Sequence, residues 1–451
     1  MKSPELLLPA GGLERMRAAF DYGADAVYAG SPRYSLRARN NEFAKLEVLE
    51  QGIREAHARN KKFFLTVNTL PHNSKLKTFM ADMEPLIAMQ PDALIMADPG
   101  LIMNVRERWP EVPIHLSVQA NTTNWWGVKF WQKIGVERII LSRELSIEEI
   151  AEIRQQCPDI ELEVFVHGAL CIAYSGRCLL SGYFNHRDPN QGTCTNACRW
   201  DYKVHDAATD EMGDAKLLQG FDFNRAQEEA NAAFEGINGQ VRHPAADKVF
   251  LIVEANRPGE MMPIMEDEHG TYIMNSKDLR AIEQVAKLAE IGVDSLKVEG
   301  RTKSVYYVAR VAQAYRKAID DAVAGKPFDL GLLAELEGLA NRGYTPGFLE
   351  RHQTQEYQNY LAGHSLAKQS QFVGQVTEID AEGWATIEVK NKFSVGDTLE
   401  IIHPSGNQTV QLAAMTRKGE AVDVAPGNGI EVKIPQMQGK EKALIARVMN
   451  P

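Results

Sequence analysis

Short apolar runs and helix-period segments alternate along the first two-thirds of the chain. The runs are Glu5–Leu8, Ala26–Ala29, Phe63–Val67, Ala93–Met96, Ile114–Val118, Arg138–Leu141, Leu162–Val166 and Ser295–Val298. Their brevity and their apolar, often β-branched content predict buried strands. Between them, segments such as Leu13–Tyr22, Lys45–Arg59, Gly100–Trp109, Ser146–Cys157 and Lys277–Ile291 predict helices. Strands that alternate with helices pair in parallel through helical crossovers, and eight of them fit a closed (β/α)8 TIM-like barrel, an α/β fold. A doubly wound open sheet is the alternative. Against it, the first turn, Pro9-Ala10-Gly11-Gly12, lacks the spaced glycines of a dinucleotide-binding loop.

The rhythm breaks between about 203 and 270, a stretch rich in Asp, Glu, Ala and Asn that reads as an insertion with little predictable structure. Helix returns at Tyr306–Ala322 and around Leu330–Leu339. From about Gln371 the period changes to two. Phe372–Val376, Ala385–Val389, Thr398–Ile402 and Thr409–Leu412 alternate apolar and polar residues between turn sequences, which predicts a small all-β barrel. The expected organisation is a barrel domain at 1–330, a helical linker at 331–370 and a C-terminal β-barrel domain at 371–451.

Composition adds limits. A chain of 451 residues with 44% hydrophobic and 24% charged residues is an ordinary globular mixture. The net charge of -10 argues against a generally basic nucleic-acid binder, though a local basic patch remains compatible with it. The first residues lack the apolar core and cleavage site of a signal peptide, and no apolar stretch is long enough to span a bilayer. The expectation is a cytoplasmic protein with no membrane association and with reduced thiols.

Polar residues recur where a barrel places its active site, at the ends of strands. His115 lies in the fifth predicted strand, and Ser117, Gln119 and Asn121 at or just past its end. Ser142, Arg143 and Glu144 follow the sixth, His167 the seventh, and Glu299 and Arg301 the eighth. Lys297, Glu299 and Arg301 alternate, so they share one face, expected to be the inner one. Four of the five cysteines, Cys171, Cys178, Cys194 and Cys198, crowd into one loop, with six, fifteen and three residues between them; Cys157 stands apart. Four thiolates enclose a soft metal centre. These gaps are loose for a zinc knuckle and suit a [4Fe-4S] cubane better. Zinc, a disulfide pair and inert buried thiols are the alternatives.

The run from Glu163 to Ser181 resembles the signature of the collagenase-like peptidase family. So do Gly23–Tyr28, Leu141–Leu145 and Ser295–Arg301, and the resemblance extends over the whole chain. Pro32–Phe43, Asn275–Leu279 and Lys390–Asp397 resemble the branch of that family that takes part in converting the tRNA wobble uridine 34 to 5-hydroxyuridine. The resemblance implies a tRNA-modifying hydroxylase that depends on prephenate as co-substrate, on tRNA, and on proteins of iron–sulfur assembly. It also implies a [4Fe-4S] cluster on Cys171, Cys178 and Cys194. The fourth ligand varies in position among relatives, and Cys198 is the candidate here.

With an RNA substrate in view, His115, Gln119, His167 and Glu299 are the catalytic candidates. Arg33, Arg37, Arg39, Arg143, Tyr174, Lys297 and Arg301 are the substrate-binding candidates, with Arg143 and Arg301 suited to clamp the carboxylates of prephenate. Lys303, Arg310, Arg177, Arg187 and Arg199 extend a possible basic rim, and Tyr34, Tyr174 and Trp200 are candidates to stack a base. Surface ion pairing is the plain alternative for each arginine. A peptidase is the competing function, but the chain has no GxSxG elbow and no HExxH helix, and Ser142 and Ser181 have no evident base. An RNA-binding protein with a structural metal is the other alternative.

Overall fold

The computed structural model describes residues 1–36, 41–170, 278–350 apart from 302, 340 and 342, and 370–449 apart from 428 and 436, with the backbone of several strands between 202 and 271. Eight parallel strands close on themselves: β1 (Glu5–Pro9), β2 (Ala26–Gly30), β3 (Lys62–Val67), β4 (Ala93–Met96), β5 (Ile114–Leu116), β6 (Arg138–Ile140), β7 (Glu161–Ala169) and β8 (Ser295–Val298). Each pairs with the next, and β8 pairs with both β7 and β1, which closes the (β/α)8 barrel. The open-sheet alternative is thereby excluded.

The crossovers are α1 (Leu13–Asp21), α2 (Leu46–Ala58), α3 (Asn73–Ala88), α4 (Pro99–Arg108), α5 (Trp125–Lys133), α6 (Ile147–Gln156), α7 (Val285–Ile291) and, after β8, α8 (Val305–Val323). Several start on side-chain caps that satisfy otherwise orphaned N–H groups. Asp98 caps α4, Asn124 caps α5, Ser304 caps α8, and Ser146 with Glu149 forms a capping box on α6. The helix expected from Lys277 starts later. Asp278–Arg280 is instead a strand antiparallel to the outer half of β7, and it carries Tyr344–Thr345 at its far edge.

The insertion has strands where little structure was expected. Tyr202–Thr209, Ala215–Leu217, Phe250–Glu254 and Met261–Ile264 form a four-stranded antiparallel sheet. The C-terminal region is an antiparallel eight-stranded sheet with its own core of Val373, Ile387, Val389, Leu399, Ile401 and Ile445. It docks on α1 and α8: Tyr306 stacks on Phe372 at 5.0 Å, Tyr22 donates to Ile402 O at 2.8 Å, and Arg310 donates to Glu400 at 2.9 Å. The helix Gly331–Glu337 contributes Leu332 and Leu336 to the main core. Among the described residues, no helix is long and apolar enough to cross a membrane.

Candidate functional site

The barrel interior carries charge as well as apolar side chains. Near the N-terminal ends of the strands Arg138, 2% exposed, donates to Glu5 at 2.6 Å, Glu161 at 2.8 Å and Glu163 at 3.1 Å. Burial would raise the Glu5 carboxyl, but Arg138 and Lys62 hold it below its usual range. One layer up, Lys297 donates to Glu163 at 2.6 Å, and its ammonium lies 4.4 Å from the Tyr28 ring centroid. Burial pushes the Lys297 ammonium down against the pull of Glu163. These contacts confirm that Lys297 points inward.

The upper layer is assembled around Tyr28. Its hydroxyl donates to Val298 O at 2.9 Å and to Glu299 Oε2 at 3.2 Å. Burial, then the Glu299 charge, pushes this phenol well above its usual value, so it remains a donor. Arg143 stands 4.0 Å from the same Glu299 oxygen and lies 3.6 Å over the Phe165 ring, a cation–π contact. Arg301 donates to Ser35 Oγ at 2.8 Å and Thr66 Oγ1 at 3.1 Å, with its guanidinium 5.7 Å from the Tyr28 ring centroid. Thus Arg143, Glu299 and Arg301 converge at the mouth, with Lys297 one layer below. Gly11 permits part of this closeness: a Cβ there would sit 2.2 Å from the Arg301 carbonyl oxygen.

A second set, without net charge, stands at the ends of β3 and β5. Asn68 donates to Gln119 at 3.0 Å and to Ser117 at 3.3 Å. Beside it, Ser142 donates to Asn121 at 2.9 Å and also contacts Glu144. Ser142 therefore faces an amide and a carboxylate, and among the described residues no imidazole reaches it. This is not the serine–histidine arrangement of an acyl-transfer enzyme.

His115 lies inside the barrel, edge-on to Phe64 at 4.7 Å. Burial, then the charges of Arg138, Lys297 and Lys62, hold its imidazole well below 6.5, so it is neutral. His167 departs from the expected mouth. Lys297 pairs with Phe165 and Val298 with His167, so Val166 is bulged out of register. A bulge reverses the alternation of faces. Glu163 and Phe165 point inward, whereas His167 packs outside against Tyr307, Tyr315 and Tyr344. Burial, followed by Lys303 and Arg280, brings its pKa down to about 3. Gly168 follows at φ +99°, where a Cβ would lie 2.4 Å from the Glu299 carbonyl oxygen.

Two further expectations are corrected by packing. Tyr34 is 1% exposed, packs edge-on against Phe79 and donates to Asp82, so its ring has no open face for a base. Arg310 is buried between Glu400 and Glu335 at the C-terminal region and does not join a mouth rim. Arg33 is exposed but paired with Asp82 at 2.7 Å. Arg37, Arg39, Tyr174, Cys171, Cys178, Cys194 and Cys198 lie outside the described residues, as do Arg177, Arg187, Arg199, Trp200 and Ser181. Among the described residues no group of His, Cys, Asp or Glu is arranged to hold a metal ion. Tyr28, Asn68 and Glu163 were not singled out from the sequence. Asn68 carried a usable signal, because it directly follows a strongly apolar strand.

Fold and mouth together define a β/α-barrel protein whose polar and charged side chains converge at the C-terminal ends of its strands. The chain belongs to peptidase family U32: the family model matches residues 11–359, and that of the family's C-terminal domain matches 368–447. It is 61% identical over 442 residues to a protein of Escherichia coli strain K12 named tRNA hydroxylation protein P, covering 98% of this chain and 95% of the relative. It is 59% identical over 450 residues to the protein of that name from Haemophilus influenzae, covering 98% and 96%. A more distant relative, the 23S rRNA 5-hydroxycytidine C2501 synthase of Escherichia coli, is 29% identical over 317 residues, covering 70% of this chain and 39% of the relative.

Proposed function

We propose that this protein is an RNA-modifying enzyme that hydroxylates a pyrimidine base, the wobble uridine 34 of tRNA, to give 5-hydroxyuridine. The observation that carries this reading is the 61% identity, over 98% of the chain, with a protein named for tRNA hydroxylation. The relative named for rRNA 5-hydroxycytidine synthesis supports the broader class of RNA base hydroxylation.

The reading includes a [4Fe-4S] cluster on Cys171, Cys178, Cys194 and Cys198, delivered by iron–sulfur assembly proteins. The donor set fits such a group, since a cubane takes four thiolates and the loop has four cysteines. When bound, the cluster supplies one-electron chemistry that side chains lack. Prephenate is the proposed co-substrate. Arg143 and Arg301 would hold its carboxylates, because a guanidinium fork suits a carboxylate. Glu299, which accepts from Tyr28 and stands 4.0 Å from Arg143, is the proposed group to take or give a proton beside them. Arg37 and Arg39, which follow β2 in sequence, are the proposed phosphate contacts along with Arg33.

The test is a nucleoside analysis of tRNA from cells lacking the gene and from the same cells complemented with it. Loss of 5-hydroxyuridine and its derivatives, restored by the wild-type gene, is expected. Unchanged nucleosides would refute the proposal.

A further inference from the structure

Gln119 is held in one orientation by a relay of hydrogen bonds that begins at a backbone N–H. The amide of Leu36 donates to Asn68 Oδ1 at 3.4 Å. A backbone N–H only donates, so the Asn68 side chain has a single assignment, with its –NH2 turned away from Leu36. That –NH2 donates to Gln119 Oε1 at 3.0 Å and to Ser117 Oγ at 3.3 Å, and the Ser117 hydroxyl donates in turn to Gln119 Oε1. The Gln119 carbonyl oxygen therefore accepts twice from the protein, and its –NH2 is the end left over. Among the described residues nothing accepts from Gln119 Nε2. Asn68 and Ser117 are buried, at 5% and 2% exposure, whereas Gln119 is half-buried in the turn Val118–Ala120 just past β5. The result is an oriented pair of N–H donors backed by the protein.

We infer that the Gln119 –NH2 donates to the C4 carbonyl of the target base and thereby selects uracil over cytosine. This rests on the RNA-base reading given under Proposed function. Uracil carries an acceptor oxygen at C4, where cytosine carries an amine that only donates. Against uracil the oriented amide makes a hydrogen bond. Against cytosine two donors meet. Turning the Gln119 amide over would not relieve this, since its –NH2 would then face the Asn68 –NH2. Asn68 and Ser117 are positioning residues that act through Gln119.

The experiment uses the full-length protein, purified without oxygen, and two anticodon stem-loop RNAs that differ only in U or C at position 34, with an unrelated hairpin of equal length as control. Wild type is expected to bind the U34 loop about tenfold more tightly than the C34 loop, the scale of one hydrogen bond. Gln119→Ala should erase the preference, and Gln119→Glu, which replaces the donor by acceptors, should erase or reverse it. Asn68→Ala frees the amide to turn and should shrink the ratio, whereas a merely structural role would weaken both RNAs equally. A ratio unchanged in both Gln119 variants, or equal binding of both loops by wild type, overturns the assignment while leaving the RNA reading in place. Wild-type binding of the U34 loop no tighter than the control hairpin would remove the RNA reading itself, and this assignment with it.

Discussion

Lys297 donates to Glu163 at 2.6 Å within the ring of eight strands, and neither side chain reaches solvent. Glu163 serves two cations, because Arg138 also donates to it at 3.1 Å. Arg138 retains Glu5 and Glu161 if Glu163 is removed, but Lys297 loses the carboxylate it donates to. Breaking a buried pair leaves an uncompensated charge and costs about 3–5 kcal/mol. Glu163→Leu is therefore expected to lower unfolding stability by that amount, and Lys297→Met by less, since Arg138 still faces Glu163. The double variant should recover part of the loss. Urea denaturation of the three variants checks this; additive losses would show that the two groups do not depend on each other.

Stability should fall in mild acid because of two buried imidazoles. His115 is held well below 6.5 and His167 is brought down to about 3, both chiefly by burial. Folded, each binds its proton less readily than when unfolded. Below pH 6.5 the unfolded chain then holds more protons, so this contribution is complete above 6.5 and is lost as pH falls toward the lowered values. Each such proton gives a slope of about 1.4 kcal/mol per pH unit. His167→Gln is expected to reduce the slope by about one proton between roughly pH 4 and 6. An unchanged slope in that variant would contradict the buried neutral assignment.

Arg301 is turned into the mouth, its guanidinium hydrogen-bonded to Ser35 and Thr66. Arg301→Ala is expected to raise the prephenate concentration needed for half-maximal hydroxylation about ten- to hundredfold, the range for a charged hydrogen bond. Arg301→Lys should recover little, since an ammonium lacks the planar fork. Wild-type hydroxylation by Arg301→Ala at limiting prephenate would exclude this role.

Iron content is expected to separate the cysteines. Cys157 is buried just past the end of α6, with Sγ 3.7 Å from Trp125 O, and burial raises its thiol pKa. Cys157→Ser is expected to keep iron and activity, whereas serine at Cys171, Cys178 or Cys194 should abolish both. Loss of iron in Cys157→Ser alone would mean that the ligand set is wrong.

The barrel was legible because its strands are short apolar runs between caps and turns, and all eight were located from those runs. Lys297 and Arg301 were placed at the interior and mouth by simple alternation. His167 was not, because one bulged residue, Val166, reverses the alternation, and no residue type announces a bulge there. The sequence predicts helix over Asp278–Arg280, since a segment of three residues carries too little periodicity to reveal a strand. Tyr34 and Arg310 belong to packing and ion pairs formed with α3 and the C-terminal region, contacts that sequence spacing does not encode. The place of Asn68 at the end of a strand is visible in the sequence, but its role is not, since that lies in what it does to Gln119, fifty-one residues away.

The most direct measurement is hydroxylation by the purified protein, loaded with iron and sulfide without oxygen, acting on unmodified tRNA with and without prephenate. The account predicts 5-hydroxyuridine at position 34 when prephenate is present, little without it, and a broad visible absorbance of the protein that is lost on oxidation. A cluster-loaded protein that binds the tRNA yet leaves uridine 34 unmodified with prephenate present would contradict it.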